Sequence, residues 1–247
     1  APQSSSSVPF PALTFIERAR SLQPDMRALQ QVFPLVDLLH IRGLELLGRT
    51  RGHRLRAVGR EPLADVRCVD DVADLAIGLM LSAARQLPAA DRYVKDGKWT
   101  SGPMPLARKM SGARLGIVGI GRIGQAIAHR ALAFNMSIAY TARNKRTELP
   151  YAFYPTATEL AANCDYLVVI TPGGAGTLKL INAEVLKALG PEGILVNVAR
   201  GSVVDQEALI HALQNGVIAG AGLDVFENEP NVPEALRAIP HVVLAPH

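Results

Sequence analysis

From residue 115 onward the chain alternates between two textures. Short, unbroken apolar runs are each followed by a stretch with helical spacing. LGIVGI (115–120) leads into a helix near 123–134, and MSIAYTA (136–142) into a basic turn and the short helix TATELAAN. DYLVVIT (165–171) precedes NAEVLKALG, and GILVNVA (193–199) precedes DQEALIHALQNG. AGAGLDV and HVVLAPH close the series. Runs that are apolar throughout, rather than at every second position, belong to strands covered on both faces. Six such strands with helical crossovers predict an α/β fold, a doubly wound parallel sheet of the Rossmann type. Right-handed crossovers place ligands beyond the carboxyl ends of the strands.

Upstream the texture changes. DDVADLAIGLMLSAARQL (70–87) predicts a helix that Asp70 or Asp71 caps. Its apolar residues wrap nearly all round, so it is buried within the fold or against another subunit. DRYVKDGKW (91–99) and the Gly/Pro-rich SGPMP then lead into the first strand. Residues 1–69 hold helix- or strand-like fragments with no clean period. The predicted organisation is a second, smaller domain over 1–69, a partial or divergent substrate domain, followed by a dinucleotide-binding domain over 70–247.

The chain has 247 residues, of which 49% are hydrophobic and 19% charged, as in a soluble globular protein. No apolar run approaches the roughly 18–20 residues that span a bilayer. The opening APQSSSSVPFPA lacks the basic-then-apolar order of a secretory signal. Cys68 and Cys164 form no metal-binding pattern or disulfide framework; with them we expect a reducing, cytoplasmic setting and no metal. Cys164 reads as a small buried residue. A net charge of +4 mildly favours anionic ligands and falls far short of a nucleic-acid binder. Arginines crowd 42–67, from Arg42 to Arg67, and read as a solvated surface segment rather than an anion patch.

The chemistry begins at the first strand's end. Gly119-x-Gly121-x-x-Gly124 lies between a strand and a helix. Gly119 permits the tight turn, Gly121 lets the backbone approach phosphates, and Gly124 lets helix pack on strand. The helix start offers N–H groups and partial positive charge to a pyrophosphate. Where an NAD-selective site carries an acid after the second strand, this chain has Arg143, Asn144, Lys145 and Arg146. Guanidinium suits a 2′-phosphate, so NADP(H) is expected over NAD(H), with Arg143 as the main contact. Arg200, Glu229 and His247 each follow a strand's carboxyl end. Reducing a ketone needs a proton donor, an imidazole near neutral pH. A carboxylate orients that ring, and an arginine holds an anionic substrate. His241 starts its strand and should lie at the opposite edge. His129 and His211 read as surface residues on helices.

These motifs resemble the D-2-hydroxyacid dehydrogenase family. The resemblance is carried by DDVADLAIGLMLSAARQLPAADRYVKDGKW, GARLGIVGIGRIGQAIAHRA, VNVARGSVVDQEALIHAL, AGAGLDVFENEPNVP and VVLAPH. It covers 70–247 and is strongest toward the branch of glyoxylate/hydroxypyruvate and hydroxyphenylpyruvate reductases. It implies NADPH-dependent reduction of a small 2-oxoacid to the D-2-hydroxyacid. By the same resemblance Arg200 binds the substrate carboxylate and carbonyl, and Glu229 pairs with the acid His247. Asp224 holds the nicotinamide carboxamide, and Arg122 and Ile123 wrap the pyrophosphate. Thr171, Pro172, Val198 and Ala199 line the cofactor. Helix 70–87 implies a homodimer, with Trp99 reaching toward the neighbouring subunit's site. Two other family roles compete: a dinucleotide-sensing corepressor, and phosphoglycerate dehydrogenase, against which the basic run 143–146 speaks. Relatives carry a Gly-Val-Gly loop before the long helix, which 1–69 lacks, and continue past the histidine; the native protein is therefore expected to extend beyond His247.

Overall fold

The computed structural model describes residues 63–247, with side chains from residue 68 on. The domain expected over 1–69, its arginine cluster included, thus falls almost wholly outside the described residues. Seven parallel strands form one sheet in the order β3-β2-β1-β4-β5-β6-β7. The strands are β1 (Arg114–Val118), β2 (Ser137–Thr141), β3 (Ala152–Phe153), β4 (Tyr166–Val169), β5 (Ile194–Asn197), β6 (Gly220–Leu223) and β7 (Val242–Leu244). This is the doubly wound sheet that the apolar runs predict, with one strand more. β3 has two residues, paired to Ala139 and Tyr140, too few to leave a period in the sequence.

Two apolar layers cover the sheet. One face packs on α1 (Leu63–Arg85) and α3 (Arg122–Leu132). The other packs on α4 (Ala157–Ala161), α5 (Ala183–Leu189) and α6 (Gln206–Gln214). Central strands bury every side chain, as Tyr166–Val169 and Ile194–Asn197 do. That explains why they read as continuous apolar runs. Of two further short helices, α2 (Leu87–Lys95) buries no residue, while α7 (Glu234–Arg237) adds Leu236 to the second layer. Helix starts follow local chemistry: Thr156 caps α4 by accepting from Glu159 N–H, and Asn182 caps α5 from Glu184 and Val185.

Helix α1 corrects one expectation. It runs through Asp70 and Asp71 instead of starting there, so neither caps it. Asp70 and Asp74 point sideways and hold Arg130 on α3, at 2.9 Å and 2.5 Å. Ala73, Ala76, Leu79, Met80 and Ala84 are buried within the fold. The helix lies against α3, β5, β6 and β7. Close approach to β6 depends on Gly222, where an added Cβ would stand 2.9 Å from the Leu79 Cβ and 3.3 Å from its carbonyl. Among the described residues no helix is long and apolar enough to cross a membrane.

Cys164 is buried against the β1 backbone at Gly116, and burial pushes its thiol up to about 12. It is a packing residue with no thiolate character at neutral pH. At the amino edge of the sheet Arg114 forks onto Asp165, holding that carboxyl below its usual range.

The contact at Gly222 yields a stability test. Gly222→Ala forces α1 off β6 and should destabilise the domain by about 1–3 kcal/mol. Urea or thermal denaturation measures it; an unchanged midpoint would show that α1 moves away without cost.

Candidate functional site

Parallel register brings the strand ends to one rim. Val118 stands opposite both Thr141 and Val169, Val169 opposite Asn197, Asn197 opposite Leu223, and Leu223 opposite Leu244. Every residue assigned to chemistry from the sequence follows one of these ends. The strand order reverses at β1 and β4, and a groove of about 840 Å³ opens there.

The groove's floor is the turn from Val118 to Gly121; Arg122, Ile123 and Gly124 follow it into the helix and do not line the groove. Gly119 has φ 103°, and an added Cβ would press on Thr171 N at 2.9 Å. Gly124 sits so near that a Cβ would collide with the Gly119 carbonyl, which locks α3 onto the turn. Gly121, the residue before the helix, differs: a Cβ there would meet nothing within 4 Å, and no side chain caps the helix. The open space faces the first turn of α3, where Arg122 and Ile123 follow, and where main-chain N–H groups lack helical acceptors. An anionic, phosphate-sized group fits this cradle by charge and by space.

One wall is the loop after β2. Arg143, Asn144, Lys145 and Arg146 all line the groove. Glu148 lines it too, an acid the motif analysis passed over, with its carboxylate 3.8 Å from Arg146. Among the described residues neither Arg143 nor Lys145 has an ion-pair partner. Thr171 and Pro172 form the facing wall, and Pro155 and Thr156, between β3 and α4, complete it. TATELAAN reads as a short helix along the chain; that its start borders the groove does not show there, because β3 brings it to that place.

Val198 and Ala199 are buried behind the rim and do not line the groove. Asn197, also buried, organises this turn: its amide oxygen accepts from Ala199 N–H at 3.1 Å and its amide nitrogen donates to the Arg200 carbonyl at 3.2 Å. Arg200 is thereby presented at the surface, its stem beside Gly173. Its guanidinium donates to the Ala199 carbonyl at 2.6 Å. Gly201 then abuts the Phe226 main chain, tying this turn to the 226–229 segment.

Past β6 and β7 the remaining groups meet. His247 Nδ1 lies 2.8 Å from Glu229 Oε2, while Glu229 Oε1 accepts from Phe226 N–H at 3.0 Å. Both carboxylate oxygens are therefore engaged. The bond to His247, then the Phe226 amide, hold this carboxyl below its ordinary range, and Arg200 adds to the effect. Asp224 is half-buried beside the pair; burial raises its carboxyl, opposed by His247 and reinforced by Glu229. Glu229 and His247 border an apolar hollow of about 410 Å³ with Phe226, Val232 and Leu244. His241 sits at the amino end of β7, on the opposite edge, and His129 and His211 are exposed on helices. Among the described residues no group of three or more His, Cys, Asp or Glu side chains is gathered to hold a metal.

The family model of the D-isomer specific 2-hydroxyacid dehydrogenase NAD-binding domain matches residues 77–247. The chain belongs to the D-2-hydroxyacid dehydrogenases. It is 51% identical over 178 residues to hydroxyphenylpyruvate reductase of Plectranthus scutellarioides, covering 72% of this chain and 57% of that one. It is 49% identical to glyoxylate/hydroxypyruvate reductase A of Arabidopsis thaliana, with the same coverage. An NADPH-dependent glyoxylate/hydroxypyruvate reductase of Sinorhizobium meliloti, solved with NADP and malonate, superposes with a TM-score of 0.70 at 54% identity. That match covers 72% of this chain and 57% of the solved one. The chain thus spans little more than half the length of these dehydrogenases.

Within this dehydrogenase domain the Nδ1 contact has a chemical consequence. A carboxylate accepting from Nδ1 fixes the tautomer and leaves Nε2 as the atom that faces outward for proton exchange. The carboxyl's lowered value means that Glu229 stays ionised across the neutral range.

The same shift gives a pH test. A carboxyl lowered on folding adds stability above the usual glutamate value of 4.5, and that stability is lost as pH falls through the depressed value. Glu229→Gln should therefore cost under about 1 kcal/mol at neutral pH, given the pair's exposure. The gap to the parent should close below pH 4.5. Denaturation midpoints at pH 7 and pH 3.5 measure it; a gap that widens in acid would contradict the sign.

Proposed function

We propose that this chain forms the cofactor-binding part, with the proton-transfer pair, of an NADPH-dependent reductase. It acts on small 2-oxoacids such as glyoxylate, hydroxypyruvate or an aryl pyruvate. The observation that carries this is the His247–Glu229 contact at 2.8 Å on the rim that also bears the groove. Family membership and relatives named for these reductions support it.

Gly119, Gly121, Arg122, Ile123 and Gly124 hold the pyrophosphate, and Arg143 with Asn144 holds the adenosine ribose and its 2′-phosphate. Thr171, Pro172, Val198 and Ala199 wall the nucleotide, and Asp224 accepts from the carboxamide. When bound, the reduced nicotinamide supplies a hydride to the keto carbon. Arg200 binds the substrate carboxylate and draws charge toward the carbonyl oxygen. His247 gives its Nε2 proton to that oxygen as the hydride arrives, so ketone, hydride and proton together make the hydroxyacid. Glu229 keeps the ring in place and balances its positive charge.

The protein acts as a homodimer. Leu87, Val94, Trp99 and Leu106 are exposed large apolar residues on the segment after α1, and Trp99 is 68% exposed. Such a row is what a partner surface covers.

NADPH oxidation by the native protein, followed with glyoxylate, hydroxypyruvate and hydroxyphenylpyruvate, tests the activity. Turnover with at least one of them is expected. His247→Asn should lower kcat by about 10²–10⁴-fold with NADPH affinity kept. Binding of NADPH without turnover on any 2-oxoacid would overturn the assignment.

A further inference from the structure

The cationic loop after β2 is held by a buried side chain that lies outside the groove lining. Tyr140, the penultimate residue of β2, is fully buried, and its hydroxyl reaches forward under the loop. It accepts from Arg146 N–H at 2.7 Å and donates to the Arg146 carbonyl at 3.1 Å. The same carbonyl also accepts from Leu149 N–H at 3.2 Å, closing a turn. The Tyr140 ring is itself fixed, tilted against Phe153 on β3 with centroids 5.4 Å apart. The Tyr140 carbonyl accepts from Tyr154 N–H at 2.9 Å. One side chain therefore ties together β2, β3 and the far end of the 143–146 segment.

The loop has little else to hold it. Residues 143–148 are exposed and belong to no strand or helix. Two of its cations, Arg143 and Lys145, have no ion-pair partner among the described residues, while Arg146 has Glu148 nearby at 3.8 Å. Long cationic side chains on an untethered loop lose much of their attraction to the entropy of being held in place. A loop anchored at both ends, by Thr141 in the sheet and by Arg146 on the phenol, presents them to the groove with the backbone share of that loss removed.

We propose that Tyr140 is a positioning residue for cofactor selection. Its hydroxyl clamps the Arg146 backbone so that Arg143 and Lys145 face the groove as a preformed site for a phosphomonoester on the nucleotide ribose. The proposal rests on the NADPH reading above, and it adds a residue that touches no part of the cofactor. Its effect should be confined to ligands carrying the 2′-phosphate, because NADH offers the cations nothing to hold.

The test compares the native protein with Tyr140→Phe, Arg143→Ala and the double variant. Binding of NADPH, NADH and adenosine 2′,5′-bisphosphate is titrated by fluorescence and calorimetry, alongside thermal unfolding. Phenylalanine keeps the ring against Phe153 and removes only the hydroxyl. Tyr140→Phe should weaken NADPH and the bisphosphate about five- to tenfold, the scale of one or two net hydrogen bonds. NADH affinity should change by less than about twofold. In the Arg143→Ala background the same substitution should weaken NADPH by less than it does alone, since only the Lys145 share of the site is left for the clamp to position. Equal weakening of NADPH and NADH would reduce Tyr140 to a packing residue and overturn the proposal. So would a loss of NADPH preference in Arg143→Ala with Tyr140→Phe unchanged, which leaves the NADPH reading standing. If the native protein itself binds both cofactors alike, the NADPH reading falls first, and the clamp's role in selection with it.

Discussion

The structure depends on the alignment of parallel strands at their carboxyl ends. A parallel ladder fixes each strand's stagger through evenly spaced main-chain bonds, and here the last paired residues of β1, β2, β4, β5, β6 and β7 fall level with their neighbours. No side chain at the rim is placed by its own interactions first. Each leaves the sheet at a point the ladder has set, and short turns convert that point into a direction. Gly119 turns the chain under a helix start, Asn197 folds the β5 end back to show Arg200, and the Phe226 amide holds Glu229 against His247. A slip of one residue in β7 would carry His247 away from Glu229 and break the pair.

Charge is divided along this rim. The β1–β2 side presents a helix start and the cations of 143–146, an environment for phosphates. The β6–β7 side holds two carboxyls and an imidazole, with opposite perturbations. Glu229 is lowered by partners that favour its ionised form, whereas Asp224 is raised by burial. The opposite shifts follow from different surroundings: both Glu229 oxygens are engaged, by His247 and the Phe226 amide, whereas Asp224 is partly desolvated. Arg200 lies between these halves, near enough to Glu229 to help keep it ionised.

Much of this was legible along the chain, and for definite reasons. LGIV, LVV and ILVN are unbroken because both faces of their strands are covered, so period and burial agree. The glycine fingerprint announced itself because Gly119 needs a positive φ and Gly124 admits no Cβ, while Gly121 keeps the space before the helix start open. Three things escaped. β3 is only two residues, held by register to β2 rather than by its own pattern. Asp70 looked like a cap because acids favour helix starts, but Arg130, distant in sequence, supplies its partner in the middle of α1. Glu148 and Thr156 reach the groove only once β3 folds the intervening chain back.

Tyr140 shows why such residues elude motif reading. Within SIAYT the tyrosine belongs to the core and has no exposed surface. Burial alone does not reveal that its polar end is engaged with a loop six residues later. A buried hydroxyl must find partners, because leaving it unpaired costs about 1–3 kcal/mol. In a two-sided sheet those partners are scarce, as neighbouring strands have spent their main-chain groups on one another. The end of the sheet is where unpaired backbone remains, so a tyrosine one residue from a strand's end is drawn toward the loop that follows. The same shortage that forces the hydroxyl outward ties it to the Arg146 main chain beside the groove, linking core packing to the loop that carries the cations.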